Sequence, residues 1–195
     1  SGNGRIEAVE IDVAAKIAGR VKEILVREGE FVTAGQVVAV LDTANLEAQL
    51  RQAQAQLLQA QSSVATAHSQ LAQRRSERAA ALATVAQREA ELLKARQHAR
   101  RSAELAHSGA IARQEADDDA AQLRSTEAAL HAARAQVAAS DATINAAATQ
   151  INGAQAAVSA AKANVERIQA DIDDSMLTAP RDGRVQYKVV QLGEV

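Results

Sequence analysis

Between Ala44 and Asp174 apolar residues return every seven positions. On the first half of this stretch the series reads Leu50, Leu57, Val64, Leu71, Arg78, Val85, Leu92, Ala99, and three residues after each come Ala53, Ala60, Ala67, Arg74, Ala81, Arg88, Ala95 and Ser102. On the second half it reads Leu123, Leu130, Val137, Ile144, Ile151, Val158, Val165 and Ile172, again with mostly small residues three positions on. A strict seven-residue spacing held this long predicts a coiled-coil seam. The stretch has no proline, and its only glycines are Gly109 and Gly153. Two long helices broken near Gly109 are therefore expected. Folding the chain back there pairs residues whose numbers sum to about 218, and nearly every pair sets large on small. Leu57 falls on Ala161, Val64 on Ala154, Leu71 on Ala147, and Ile151 on Ala67. Limbs of about 63 residues each would reach roughly 90–100 Å at the helical rise. Arg74, Arg78 and Arg88 interrupt the seam, with their stems expected to cover it and their heads to reach water.

The period changes at both ends. Residues 5–42 have β character: Ile6, Val9, Ile11 and Val13 lead in, and short apolar runs follow, punctuated by Gly19, Gly29 and Gly35. Residues 176–195 open with "MLTAP", where Pro180 bars a continued helix. The two ends resemble each other. "AGRVKEILVREGEFV" (18–32) aligns with "DGRVQYKVVQLGEV" (182–195), with Gly19 and Gly29 spaced like Gly183 and Gly193. The pattern predicts an α+β chain: one pseudo-symmetric β sandwich split into 5–42 and 176–195 by an antiparallel helical hairpin over 43–175, its tip near 106–112. Asp42 and Thr43 are the expected cap where "VVAVLDTANLEAQL" turns from strand to helix.

Composition narrows the functional classes. Alanine is about a quarter of the chain and aromatic residues 1%, which suits narrow helical seams and not a broad core. Charge is nearly balanced, 22 basic against 24 acidic residues. With no basic face and no aromatic stacking groups, nucleic-acid binding is not expected. There is no cysteine, hence no disulfide and no thiolate metal site. No apolar run approaches the ~20 residues of a membrane span. Ser1-Gly2-Asn3-Gly4 and Glu194-Val195 read as the edges of an excised piece, so anchoring segments are expected outside this chain.

Candidate chemistry is sparse. His68, His98, His107 and His131 are scattered along the helices without metal-ligand spacing and read as exposed helix residues. The acidic run Asp117–Asp119 reads as solvated charge and hairpin pairing. The register that pairs the seam would set Arg101 opposite Asp117 and Arg100 opposite Asp118. A coiled-coil arm of an unrelated assembly is the alternative reading, but no Gly-rich phosphate loop with its lysine marks a nucleotide-binding head. No catalytic residue, cofactor or metal is expected.

"GRIEAVEIDVAAKIAGRVKEILVREGEFVTAGQVVAVLD", a helical hairpin, and then "LTAPRDGRV" together resemble periplasmic adaptors of the HlyD, or membrane fusion protein, family. The resemblance covers essentially the whole chain and implies that the β halves are a split biotinyl-lipoyl-like domain. A carrier domain of that type would offer a modified lysine in the turn, where this chain has Asn45 and no lysine nearby. The family implies an adaptor linking an inner-membrane exporter to a TolC-like outer-membrane channel, in a tripartite efflux or type I secretion system. It implies a periplasmic location, anchoring to the inner membrane outside this chain, and a ring of six copies. The long hairpin and the opening segment look most like adaptors of ABC exporters, with major-facilitator pumps as the other class. The family's tip carries an Arg, a Leu four residues on, and a Ser seven residues later. Arg101 and Leu105 match, while Ala112 stands where the Ser belongs. A Ser there with Glu115 would form a capping box, and Ala112 removes it.

Overall fold

The computed structural model describes residues 11–186. Ile6, Val9, Gly193 and the rest of the second repeat beyond residue 186 lie outside the described residues. The elements run β1 (Val21–Ile24), β2 (Phe31–Val32), β3 (Val37–Leu41), α1 (Ala44–His107), α2 (Arg113–Asp173), β4 (Met176–Thr178) and β5 (Gly183–Arg184). The chain divides into two compact units, one holding the stretches up to residue 59 and from 158 on, the other residues 60–157.

In the first unit, strands from both ends of the chain share sheets. β1, β3 and β4 form an antiparallel sheet in that order, with Val37 opposite Thr178 and Ala39 opposite Leu177. β2 pairs antiparallel with β5, Phe31 on Arg184 and Val32 on Gly183. The small core is Val32, Val38 and Ala179, flanked by Val26, Leu177 and Val185. Gly29 and Gly35 take positive φ, 85° and 82°, as the turn chemistry requires. The lead-in differs from expectation: Ile11 and Val13 are exposed and belong to no strand. A strand needs a ladder partner, and among the described residues none pairs with them.

The junction from strand to helix is built as its sequence suggests. The Asp42 carboxylate accepts the Ala44 N–H at 3.1 Å, and the Thr43 hydroxyl donates to the Glu47 carboxylate at 2.9 Å. Both side chains thus serve the first turn of α1. At the return, Ser175 is 1% exposed and its carbonyl accepts the Leu41 N–H at 3.0 Å. The exit of α2 is thereby tied to the strand that feeds α1. Lys16 adds an exposed ion pair to Asp174 at 2.7 Å. Within the same unit Ala53 and Ile168 are buried, while Leu50, Leu57, Ala161 and Val165 are half-buried.

The second unit is a two-helix hairpin. Ala67, Leu71, Ala147 and Ile151 form one buried cluster with Ile144 packed against it. These are the residues that the large-on-small register brings together. Along α1 the shielded positions of this unit are 60, 64, 67, 71, 78, 81, 85, 88, 92, 95, 99, 102 and 106, interspersed only by half-buried Glu91. The heptad reading therefore holds over the unit, with Arg74 the one exposed seam position. Of the three arginines, Arg74 pairs with Glu77 at 2.9 Å, Arg88 with Glu91 at 2.7 Å, and Arg78 reaches across to Asp141. Their heads end at carboxylates on the rim, as snorkelling side chains do. The Arg74 guanidinium, followed by the Gln73 amide, holds the Glu77 carboxyl below its ordinary pKa.

Candidate functional site

The hairpin tip is closed by a glycine in the left-handed region. Gly109 has φ +78°. Its N–H donates to the Ala106 carbonyl at 3.2 Å, and the next N–H, of Ala110, donates to the Leu105 carbonyl at 2.9 Å. These are the two reversed bonds of a Schellman motif, which satisfies the last carbonyls of α1. The Ser108 hydroxyl is a second donor to the Leu105 carbonyl, at 2.9 Å. The carbonyls of Glu104, Leu105 and Ala106 are thus engaged, while the side chain of Leu105 remains 46% exposed.

Ala112 is exposed and immediately precedes α2, in the capping position. Its carbonyl accepts the Glu115 N–H at 3.1 Å, but a methyl group replaces the side-chain oxygen that would take a further orphan N–H. Arg101 is exposed and makes no hydrogen bond or ion pair among the described residues. The three family-matched positions therefore lie at one end of the second unit, near the turn, without bonding to one another.

The expected pairs Arg101–Asp117 and Arg100–Asp118 do not form. Arg100 bonds Glu104 one turn along its own helix, at 3.1 Å. The reason is geometric: the register that pairs seam residues was applied to two residues just before seam position Ser102, and these face away from α2. The acid that does cross is Asp119. Buried Ser102 donates its hydroxyl to Asp119 Oδ2, and His98 Nδ1 lies 2.8 Å from the same oxygen. The Ser102 hydrogen bond holds the Asp119 carboxyl below the usual aspartate range; burial opposes it, and the weaker effect of His98 adds to the lowering. His98 is an exposed helix residue, as its spacing predicts, and it also enters this clamp, which the sequence spacing does not reveal.

Ser, His and Asp are the residue types of a hydrolytic triad, but both partners here address one carboxylate oxygen. The imidazole is not placed between serine and acid, so it cannot relay the serine proton. The cluster fastens α1 to α2 near the tip. Among the described residues no three His, Cys, Asp or Glu side chains come together as a metal site. No described helix is long and apolar enough to cross a membrane.

Comparison with known proteins agrees with this geometry. Residues 77–147 match the family model described as the alpha-helical hairpin domain of RND membrane fusion proteins. No curated protein matches the sequence significantly. Among solved structures, the periplasmic adaptor protein EmrA superposes with a TM-score of 0.51 at 17% identity, covering 96% of this chain and 69% of its own. MacA from Actinobacillus actinomycetemcomitans superposes at 0.50 with 19% identity, over 95% of this chain and 44% of that one. The chain thus spans less than half of MacA. At these identities the likeness is one of fold: long helical hairpin and small antiparallel sheets.

Proposed function

We propose that the chain is the hairpin-bearing part of a periplasmic adaptor of the membrane-fusion-protein type, a reading supported by its matched hairpin and its fold. In this reading it links an inner-membrane exporter to a TolC-like outer-membrane channel and acts by geometry, without catalysis. The β residues are the two halves of a lipoyl-like domain, 5–42 and 176–195, and the hairpin is 43–175. Segments outside these residues anchor the protein to the inner membrane. An ABC exporter is the transporter class we favour, with copies of the chain arranged in a ring of six. Arg101, Leu105 and Ala112 form the channel-facing tip.

The observation that carries this reading is the tip. A Schellman turn holds the backbone of Leu105 while its side chain stays 46% exposed. An apolar side chain presented on a rigid turn, with an unpartnered cation one helical turn before it, suits contact with another protein. A carrier role has no attachment point, because Asn45 lies exposed in the first turn of α1 where an amine would be needed. The test is a cysteine introduced as Leu105→Cys, with cross-linking in cells. Capture of an outer-membrane channel supports the proposal, whereas capture only of cytosolic proteins would overturn it.

A further inference from the structure

One flank of the second unit carries the same side-chain pattern on both helices. "EAELLKAR" (89–96) on α1 and "EAALHAAR" (127–134) on α2 both read Glu, then Leu three later, a further bulky residue, and Arg seven after the Glu. The hairpin sets the two segments side by side, lining one open groove of about 420 Å³. Arg134 Nη2 meets Glu89 at 2.9 Å, and Arg96 Nη2 meets Glu127 at 3.4 Å. The charges therefore alternate around the groove: negative and positive at one level, positive and negative at the next. Leu92 and Leu130 sit between the levels, with Leu93 and His131 beside them.

Three features set this flank apart from an ordinary solvated helix face. Leu93 is 59% exposed at its centre. The four charged side chains stay between 42% and 62% exposed despite their ion pairs, so each retains room for a second partner. The pattern also has an approximate two-fold axis normal to the groove, Glu89 exchanging with Glu127 and Arg96 with Arg134. Turned over about the hairpin's own axis, such a face is complementary to itself.

We propose that this groove docks a second copy of the same chain, groove to groove, with the two hairpins parallel. In that arrangement Glu89 of each copy lies over Arg134 of the other and Arg96 over Glu127, so all four ion pairs gain an opposite charge. Leu93 of each copy covers His131 of the other. The reversed, antiparallel arrangement matches the charges equally well but sets Leu93 on Leu93 and His131 on His131, the pairing that each single variant below reports by itself. The contact is isologous, with both copies using the same patch. It differs in kind from the head-to-tail contacts that close a ring. It rests on the groove alone and stands whether or not the tip meets a channel.

The chain has no cysteine, so single substitutions report cleanly. Purified Leu93→Cys and His131→Cys chains are mixed under mild oxidation. Disulfide dimers are expected in the mixture and far fewer from either variant alone. Dimers as abundant from Leu93→Cys alone would overturn the parallel arrangement, and none in the mixture would overturn the contact. A second arm exchanges one ion pair, as Glu89→Arg with Arg134→Glu, which keeps the bridge within each hairpin; helical circular dichroism confirms folding. With the exchange on both partners the disulfide yield is retained. With it on one partner only, like charges face each other twice, and the yield falls roughly fivefold. Equal yields in these two cases, or loss in both, would show that the groove charges do not meet a second copy.

Discussion

Leu71 tests the seam most directly. It is 9% exposed and packs in one cluster with Ala67, Ala147 and Ile151. Leu71→Ala removes three carbons, a transfer loss of about 2.4 kcal/mol at ~0.8 kcal/mol per buried methylene. The added cavity cost should be small. A seam of only two helices has no third layer, so the space left behind can be reached by water or closed by a small shift. The expected loss is about 2–3 kcal/mol, at the lower end of the range for buried Leu→Ala changes. Leu82→Ala, at a position 42% exposed and away from both seam and groove, is the control and should stay within about 0.5 kcal/mol. The assay is urea unfolding followed by far-UV circular dichroism, with amide exchange around residues 67–71 and 147–151 to localise the loss. Local readout matters because two units need not unfold together. The large-on-small register makes a sharper demand. Leu71→Ala combined with Ala147→Leu returns the bulk from the opposite helix and should recover a substantial part of the stability. If Leu71→Ala costs no more than the control, or the double change is at least as damaging as the sum of its parts, the seam reasoning fails.

Gly109→Ala should destabilise the tip by about 1 kcal/mol, because φ is positive there. A Cβ at Gly109 would meet nothing within 4 Å, so a much larger loss of thermal stability would contradict a purely backbone origin. Ala112→Ser restores a side-chain cap and a capping box with Glu115, and should stabilise the hairpin by about 1 kcal/mol, seen as slower amide exchange over 113–116. The depressed pKa of Asp119 fixes the sign of one pH effect. Its contribution is present above the unfolded carboxyl pKa and is lost as pH falls through the lower folded value, so protection near the tip should weaken in acid. Ser102→Ala should move the Asp119 carboxyl titration upward by NMR, since that hydroxyl is the main cause of the depression.

Most of the hairpin was legible in the sequence, because a coiled-coil seam is a one-dimensional code. A seven-residue repeat in the chain is a straight stripe on the helix. The size of each residue then fixes which partner it can face, which is why the pattern alone brings Leu71, Ala147, Ala67 and Ile151 together. Gly109 as the turn and Asp42-Thr43 as the start were legible for a similar reason: caps are local chemistry.

The flanks were not legible in the same way. Seam residues obey one register, but a flank residue lies off the helix–helix line, and its partner is displaced along the other helix. Glu89 meets Arg134 and Arg96 meets Glu127, whereas the Arg101 side chain, one residue before the seam, meets no polar partner among the described residues. The Asp119 clamp and the matched groove share this origin. The repeats at 89–96 and 127–134 are plain in the sequence, yet only the folded hairpin lays them side by side. The sheets were likewise a tertiary decision. Similar glycine spacing at the two ends hinted at one β unit, but that β3 should pair with β4 and β2 with β5 depends on the helices returning to their root. The sequence alone determined the stripe, its turn and its capped start, because each is written in local spacing; the tertiary structure decided which off-seam groups meet, because that depends on how far one helix is displaced along the other.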